Sequence, residues 1–288
     1  MRRDYYFWLL GGDRRQVHLA RLLREDGHQV QTYALEQALP CAETLEGISR
    51  ADCVILPLPA AGAQGILNAP LSDHKLPLRG LMELLNPGQL LCGGKLGDDF
   101  ARQCRERGLT AVDYFEREEL AVRNAVPTAE GAIKIAMEEL PTTLYDARVL
   151  VIGFGRIGKL LAHRLRGLGA QVTVSARSFA DLAWIEAYGY KSEHTDELAG
   201  WLCSYDLIVN TVPAPVLGEA ALEDVAPGCL ILDLASAPGG VDFEAAAALG
   251  LKAIHALSLP GKAAPVTAGK ILRDTIYHVL QEVDGDDA

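Results

Sequence analysis

Short apolar runs alternate with polar, turn-rich stretches along the first half of the chain. The runs predict five strands, at residues 5–10, 29–33, 53–56, 89–92 and 110–113. Between the first two strands, Leu19, Leu22 and Leu23 recur at helical spacing. Residues 57–80 are rich in Pro, Gly and Asn and predict a loop. This alternation favours a doubly wound parallel sheet, which binds ligands beyond the carboxyl ends of its strands.

A second series begins near residue 125. The segment from Pro127 to Gly131 predicts the start of a helix, whose apolar stripe consists of Ile133, Met137 and Leu140. Five more strands are predicted, at residues 148–152, 171–175, 206–212, 230–234 and 253–256. Apolar residues at helical spacing predict a last helix over residues 267–283.

The pattern as a whole predicts the α/β class with two doubly wound parallel-sheet domains, the second a Rossmann dinucleotide-binding domain. We predict a flavodoxin-like or Rossmann-like domain at 1–125 and the nucleotide-binding domain at 126–263. Residues 264–288 should form a helix that packs back at the domain junction. A chain of 288 residues with 49% apolar content is long enough for two cores.

Charge and cysteine usage exclude several classes of function. The formal net charge of -11 disfavours binding to nucleic acid or to anionic lipid. The apolar run from Tyr5 to Leu10 is too short for a signal peptide or a membrane span, so we expect a cytoplasmic protein. The six cysteines form no C-x-x-C pair, which predicts reduced thiols and no metal site. Both a monomer and a homo-oligomer are compatible with the sequence.

The strand at 148–152 leads into the motif G-x-G-x-x-G, and an amphipathic helix follows. Six residues form the predicted diphosphate-binding turn: Gly153, Phe154, Gly155, Arg156, Ile157 and Gly158. In such a turn Gly153 makes the tight bend, Gly155 lets the diphosphate approach the backbone, and Gly158 lets helix and strand pack closely. The helix N-terminus supplies N–H donors and a positive dipole end.

The next strand is followed by a basic residue where NAD-binding enzymes carry an acid for the ribose 2′-hydroxyl. Arg177 stands there, between Ser175 and Ser178. A guanidinium flanked by hydroxyls suits a 2′-phosphate, so we predict NADP as the cofactor. A solvated surface arginine is the other interpretation.

The strand at 206–212 ends where the nicotinamide half of a dinucleotide lies. Four residues at this end are predicted to contact the cofactor: Asn210, Thr211, Val212 and Pro213. A simple turn explains the same residues.

Together with the glycine turn, residues 124–133, 232–243 and 259–269 resemble the dipicolinate synthase A subunit family. The resemblance implies NADP-dependent oxidation of dihydrodipicolinate, or of its hydrated precursor, to dipicolinate. It also implies a role in sporulation, in the mother cell, on a branch of lysine biosynthesis, and a partner that is the flavoprotein B subunit. Relatives often carry basic residues where Ala237 and Val266 stand, so Lys262 or Lys270 must take over any role of those cations here.

A dicarboxylate substrate needs local donors in an acidic protein. The predicted substrate contacts lie at element ends that should meet at the domain junction: Asn124, Thr128, Ser236, Gly239, Gly240 and Thr267. Thr128 and Thr267 each precede a predicted helix, where the hydroxyl either binds an anion or only caps the N-terminus of the helix. Gly239 and Gly240 should form a concavity of N–H donors.

The predicted catalytic set is Glu130, Ser236, Thr128 and Lys262. Glu130 lies in the first turn of the predicted helix and is the candidate general base, although the helix dipole alone favours an acid there. Lys262 either clamps a carboxylate or lies on the surface. His255 ends a predicted strand that faces the cleft, where it is either a hydrogen-bonded core or rim histidine, which we expect, or a residue of the site.

Two other functions fit parts of this pattern. A 2-hydroxyacid or S-adenosylhomocysteine-type dehydrogenase shares the two-domain plan, but residues 236–238 replace the Arg segment that such enzymes need. A non-catalytic NADP-sensing subunit would explain the lack of an obvious acid/base pair. Polar residues at three separate element ends exceed what a sensor requires.

Overall fold

The structure, a computed structural model, describes residues 4–286 of the chain, without the side chains of Ala63 and Asp286. Its first half contains β1 (Tyr6–Leu10), α1 (Arg14–Glu25), β2 (Gln29–Tyr33), β3 (Cys53–Ile55), α2 (Leu78–Met82), β4 (Leu90–Gly93), α3 (Asp98–Glu106), β5 (Thr110–Asp113) and α4 (Glu118–Glu139). Its second half contains β6 (Arg148–Ile152), α5 (Arg156–Gly167), β7 (Gln171–Ala176), α6 (Phe179–Ala187), β8 (Lys191–His194), β9 (Leu207–Asn210), α7 (Glu219–Leu222), β10 (Leu230–Asp233), α8 (Phe243–Ala248), β11 (Lys252–His255), α9 (Leu259–Ala263) and α10 (Pro265–Asp286).

These elements form two compact units. The first unit comprises the described residues of Met1–Asn124 and Ala264–Ala288, and the second comprises Ala125–Ala263. The sheet of the first unit has the order β2-β1-β3-β4-β5, and that of the second β11-β10-β9-β6-β7-β8. Every strand pair is parallel. The predicted class of two parallel-sheet α/β domains is confirmed.

The inner strands of both sheets are buried on both faces, which explains their continuous apolar runs. In β1, Phe7 and Leu9 belong to one apolar cluster, whereas Trp8 and Leu10 belong to the cluster on the opposite face. In β6, Val149 and Val151 belong to one cluster and Leu150 and Ile152 to the cluster on the opposite face. A one-residue slip of such a strand would exchange the side chains of the two clusters and disrupt the packing of both.

The helix that we predicted to begin at Pro127 is longer than expected. α4 begins at Glu118, so that Pro127 lies inside it. A proline in a helix interior removes one backbone hydrogen bond. Buried side chains on both sides of the proline compensate, with Leu120 in the core of the first unit and Ala129 and Ala132 in that of the second. Neither Thr128 nor Glu130 therefore lies at a helix start.

Two further predictions need correction. The predicted loop at 57–80 ends early, because α2 begins at Leu78 and buries Leu78, Leu81 and Met82. The strand β8 at 191–194 was missed, because it is an edge strand with a polar sequence and no apolar run.

α10 packs along α1 in the first unit. It begins at Pro265, which suits a first helical position, so Thr267 is its third residue and does not precede it. Ile271, Leu272, Ile276, Val279 and Leu280 lie in the core of that unit. Within residues 4–286 no helix has the length and apolar character needed to cross a membrane.

Candidate functional site

The glycine turn connects the end of β6 to the start of α5. Gly153 has φ of 99°, and a Cβ built on it would stand 2.5 Å from Oγ1 of Thr211. A Cβ on Gly158 would stand 2.0 Å from the carbonyl oxygen of Gly153. Both positions therefore exclude any side chain, which confirms the tight bend at Gly153 and the close packing at Gly158.

Gly155 differs from the other two glycines because it faces open space. Apart from Gly155 itself and its two chain neighbours, no described residue has an atom within 4 Å of a Cβ built on Gly155. Gly155 is the N-cap residue of α5, so the open space lies at the positive end of that helix dipole. A diphosphate fits such a place, and its approach to Gly155 stays a prediction.

The side chains between the glycines mostly support the turn. Phe154 is buried, with its ring centroid 6.1 Å from that of Tyr188 and 5.1 Å from Nζ of Lys159. Ile157 packs against the core of the second unit, whereas Arg156 is exposed. Phe154 can therefore contribute only backbone groups to a bound dinucleotide.

A cation, Arg177, follows β7, but the hydroxyls of Ser175 and Ser178, which we predicted to flank it, form hydrogen bonds with other residues. Ser175 is fully buried, and its hydroxyl accepts a hydrogen bond of 3.2 Å from Thr195. Ser178 caps α6: its Oγ accepts from the Asp181 amide and donates to the Asp181 carboxylate at 2.8 Å. The prediction that Ser175 flanks a 2′-phosphate is wrong, because its side chain points into the sheet. Arg177 is exposed.

The ends of β9 and β10 are tied together by a buried amide and a buried carboxylate. The Asn210 side chain donates to Oδ1 of Asp233 at 2.8 Å and to the carbonyl of Val212 at 3.0 Å. Thr211 donates its hydroxyl to the carbonyl of Ile152 at 2.9 Å, beside the glycine turn. These bonds favour the structural interpretation for Asn210, whereas Thr211 and Val212 border Gly153 and Pro213 is exposed.

Asp233 is the residue of this edge that was not predicted from the sequence. Its carboxylate is fully buried and also accepts from the amides of Ala235 at 3.0 Å and Gly240 at 2.8 Å. It thus holds both ends of the loop that carries Ser236. An acid that directly follows the apolar run 230–232 was the available signal.

The expected concavity of N–H donors at this loop does not form. The Gly239 amide donates to the Ser236 carbonyl at 2.9 Å, and the Gly240 amide donates to Asp233. Both amides are used inside the loop, so neither is directed at a ligand. Ser236 lies at the tip of this loop, and its side chain is exposed.

His255 lies at the end of β11, next to the same loop. Its Nε2 is 3.2 Å from the Ala235 carbonyl oxygen, and its ring stacks on Phe243 with centroids 5.2 Å apart. A carbonyl partner requires that Nε2 carry the proton. His255 is therefore hydrogen-bonded, as predicted.

Of the other predicted residues, Glu130 lies away from this edge. Glu130 pairs with Arg164 at 3.5 Å, about 12 Å along α5 from its first residue at a rise of 1.5 Å per residue. Lys262 is exposed on α9, and Thr128 is buried within α4. Asn124 and Thr267 belong to the first unit. Across residues 4–286, no group of three His, Cys, Asp or Glu side chains is arranged to hold a metal ion.

Comparisons with known proteins agree with this geometry. Residues 7–115 match the family model of the N-terminal domain of the dipicolinate synthase A subunit. Residues 121–250 match the NAD-binding domain of D-isomer specific 2-hydroxyacid dehydrogenases. The second unit is therefore a Rossmann-like domain for a nicotinamide dinucleotide, of the kind found in oxidoreductases.

Similarity to individual proteins extends over nearly the whole chain. It is 33% identical over 290 residues to the A subunit of dipicolinate synthase from Bacillus subtilis (strain 168), covering 97% of each sequence. The crystal structure of the corresponding protein from Bacillus halodurans matches with a TM-score of 0.87 at 31% identity, covering 96% of this chain and 97% of that one. The Bacillus subtilis structure matches with a TM-score of 0.87 at 32% identity, covering 99% of both. The chain therefore belongs to the family of the dipicolinate synthase A subunit.

Proposed function

We propose that this protein is the A subunit of a dipicolinate synthase and oxidises dihydrodipicolinate, or its hydrated precursor, to dipicolinate with NADP. The observation that carries the proposal is the family match along 97% of the chain. The glycine turn supports it, because its open space at Gly155 and its closed packing at Gly158 are what a dinucleotide site needs. The partner in this proposal is a flavoprotein B subunit, and the setting is the mother cell during sporulation.

The choice of NADP rests on Arg177. An exposed guanidinium follows β7 where an acidic residue would select the 2′-hydroxyl of NAD. The backbone at this point is fixed, since the Arg177 carbonyl lies 2.9 Å from Nε2 of His194. A fixed backbone lets the guanidinium make charge-assisted hydrogen bonds to a phosphate with less loss of freedom.

When bound, the nicotinamide supplies a hydride acceptor. The residues of the second unit bind and orient: the turn at 153–158 holds the diphosphate, and Arg177 holds the 2′-phosphate. Asp233 and Asn210 fix the loop at 235–240, so that the Ser236 hydroxyl donates to a substrate carboxylate from a constant position. Lys262 adds a cation for a carboxylate.

The proton that leaves the substrate needs an acceptor. Glu130 is a poor choice, because it is ion-paired with Arg164 away from the carboxyl edge of the sheet. His255 is better placed, since it adjoins the Ser236 loop. Its Nδ1 is the ring nitrogen that accepts a proton while Nε2 keeps its bond to Ala235.

The test of the proposed function uses the purified chain together with its flavoprotein partner. We expect NADP-dependent formation of dipicolinate from dihydrodipicolinate, and no NADP reduction with 2-hydroxyacids. Tight NADP binding without any oxidation by the complete synthase would instead favour a sensing role.

The cofactor choice has its own test. We expect Arg177→Gln to weaken NADP binding by about tenfold to a hundredfold, the magnitude of hydrogen bonds to a charged group, with NAD binding unchanged. Arg107→Gln, which removes an exposed guanidinium in the first unit, is the matched control for net charge. Equal losses for NAD and NADP in the Arg177 variant would contradict the assignment. Fluorescence titration measures both affinities.

A further inference from the structure

The side of α6 that faces away from the sheet is apolar along its whole length. Six exposed side chains, five in the helix and one at its C-cap, fall within about half of the circumference at about 3.6 residues per turn. They are Phe179, Ala180, Ala183, Trp184, Ala187 and Tyr188. On the opposite side, Leu182 and Ile185 pack into the core of the second unit. A helix that is apolar all round is typical of an element covered on both sides, but within residues 4–286 only one side of α6 is covered.

The three aromatic rings on this side present a large apolar area to solvent. Phe179 is 82% exposed, Trp184 59% and Tyr188 53%. At about 150–250 Å² for a whole aromatic side chain, the three together expose about 300–500 Å². That is the size of the largest apolar patch on a typical monomeric protein, and such a patch is often an interaction site.

The neighbours of Trp184 and Tyr188 hold the two rings in place. The rings stack with centroids 5.8 Å apart, and the Tyr188 ring lies 6.1 Å from the buried ring of Phe154. The Tyr188 carbonyl accepts a hydrogen bond of 2.6 Å from Arg166. Because the rings are already fixed, their burial by a partner costs little side-chain entropy. Trp and Tyr are also enriched at the hot spots of protein interfaces.

A row of basic side chains on α5 borders the apolar side of α6. Lys159, His163 and Arg166 are exposed and recur at helical spacing. Nζ of Lys159 lies 5.1 Å from the Phe154 ring, which contacts Tyr188. Among the described residues, neither Lys159 nor Arg166 forms an ion pair with a carboxylate. The row is therefore complementary to a surface that carries carboxylates, although the chain as a whole has a net charge of -11.

Other occupants fit this surface less well than an acidic protein does. Two permanent cations, Lys159 and Arg166, are few for a nucleic acid or an anionic membrane, which a chain of net charge -11 otherwise repels. An antiparallel pair of α6 helices from two copies of this chain, the pairing that helix dipoles favour, would set the two α5 rows against each other.

We propose that the apolar side of α6 and the basic row of α5 together form a docking surface for a partner protein, whose contact surface has apolar side chains bordered by carboxylates. The rings of Trp184 and Tyr188 enter the apolar part of the partner, and the small side chain of Ala183 lets the partner approach α6 closely. Lys159 and Arg166 pair with carboxylates at the rim. The identification of this partner with the flavoprotein subunit rests on the proposed function.

The experiment measures binding of the full chain to the purified flavoprotein subunit by surface plasmon resonance. We expect Trp184→Gln to weaken this binding by about tenfold or more, as at an interface hot spot. The melting temperature and the NADP affinity of the variant should equal those of wild type, because the ring is mostly exposed. Trp201→Gln removes another exposed tryptophan of the second unit and is the matched control, which should bind the flavoprotein within twofold of wild type.

Two more variants test the apolar and the charged part separately. Ala183→Glu puts a carboxylate in the middle of the docking surface, at an exposed helical position that tolerates Glu, and should also weaken binding by about tenfold. Lys159→Glu should slow association by about threefold to tenfold at low salt, and the difference from wild type should shrink as salt is added. Lys75→Glu, at an exposed position of the first unit, is the control for charge.

Several outcomes would overturn the docking surface. One is binding of the flavoprotein within twofold of wild type by both Trp184→Gln and Ala183→Glu. Another is that these substitutions abolish self-association, measured by light scattering, or binding to RNA or anionic vesicles, while binding of the flavoprotein persists. Turnover separates the failures. An active synthase whose subunits associate independently of Trp184 and Ala183 removes only this surface, whereas wild type that neither binds the flavoprotein nor forms dipicolinate with it removes the proposed function and this partner together.

Discussion

The Cβ atom that Gly158 lacks decides how closely α5 can approach the end of β6. In Gly158→Ala this atom would stand 2.0 Å from the Gly153 carbonyl, which is backbone and cannot move aside cheaply. We expect a loss of about 1–3 kcal/mol in the free energy of unfolding, the usual cost of overpacking, and weaker NADP binding. Urea denaturation and fluorescence titration measure the two effects.

Gly167→Ala is the control in the same helix. A Cβ on Gly167 meets open space, so this change should leave the stability unchanged or raise it by about 0.5–1 kcal/mol. If both variants lose the same stability, close packing at Gly158 is not the cause.

Residues differ in how far their roles can be predicted from sequence. The glycine turn is predictable because its parts are contiguous and each glycine answers a local steric demand. Asp233 is not, because its partner Asn210 lies 23 residues away and only the register of β9 and β10 brings them together. We predicted that the Ser175 hydroxyl faces the surface, but the alternation of side chains along β7 directs it to the interior.

At the scale of elements, the start of β6 and the segment entering β9 are held by one ion pair. Asp206 accepts from the Arg148 amide at 2.8 Å and from the Arg148 guanidinium at 2.7 Å. These hydrogen bonds, above all those from the guanidinium, hold the pKa of Asp206 below its usual value. The pair fixes the register of the two central strands of the second unit.

The stability of the second unit should therefore depend on Asp206 and on pH. Because the folded-state pKa is lowered, the contribution is present above the ordinary Asp pKa of about 4 and is lost as pH falls through the lowered value. We expect Asp206→Asn to lose about 1 kcal/mol at pH 7, a modest amount since the pair is partly exposed. The difference in the free energy of unfolding between this variant and wild type should shrink as pH falls below about 4.

Urea denaturation at a series of pH values measures this difference. Glu223→Gln, at an exposed position of the same unit, should behave as wild type throughout. A difference for Asp206→Asn that stays constant down to about pH 3, below the ordinary Asp pKa, would show that the carboxylate charge is not involved.

Elements were predictable where an apolar run or stripe marked them and less so where tertiary packing decides. The buried strands β1, β6 and β10 follow from their apolar runs. We predicted that α4 begins at Pro127, because the cost of a proline inside a helix can be read from the sequence. The burial of Leu120 and Ala129, which offsets this cost, cannot be read from it. β8 was missed because an edge strand needs no apolar residues.

At the scale of the whole molecule, α10 belongs to the first unit by its contacts although it follows the second in sequence. A chain that ends at Ala263 lacks the side chains with which Ile276, Val279 and Leu280 fill the core beside α1. We expect the first unit of this truncated chain to lose protection against amide hydrogen exchange, because several large apolar groups leave its core. The second unit, residues 125–263, should keep its protection.

Hydrogen exchange read by mass spectrometry distinguishes the two units in one experiment. A variant with only exposed α10 residues changed, such as Lys270→Gln, serves as the control and should exchange as wild type does. Protection of β1 and β3 that survives the truncation would mean that the first unit is complete without α10.

The discontinuity of the first unit has a consequence for synthesis of the protein. Residues 125–263 are contiguous and can fold as soon as they leave the ribosome, whereas α1 must wait for α10. At about 5–20 residues per second, the chain between Glu25 and Pro265 takes about 12–48 s to make. During that time the apolar side of α1 that α10 later covers is open to chaperones, and the nascent first unit reaches its final form last.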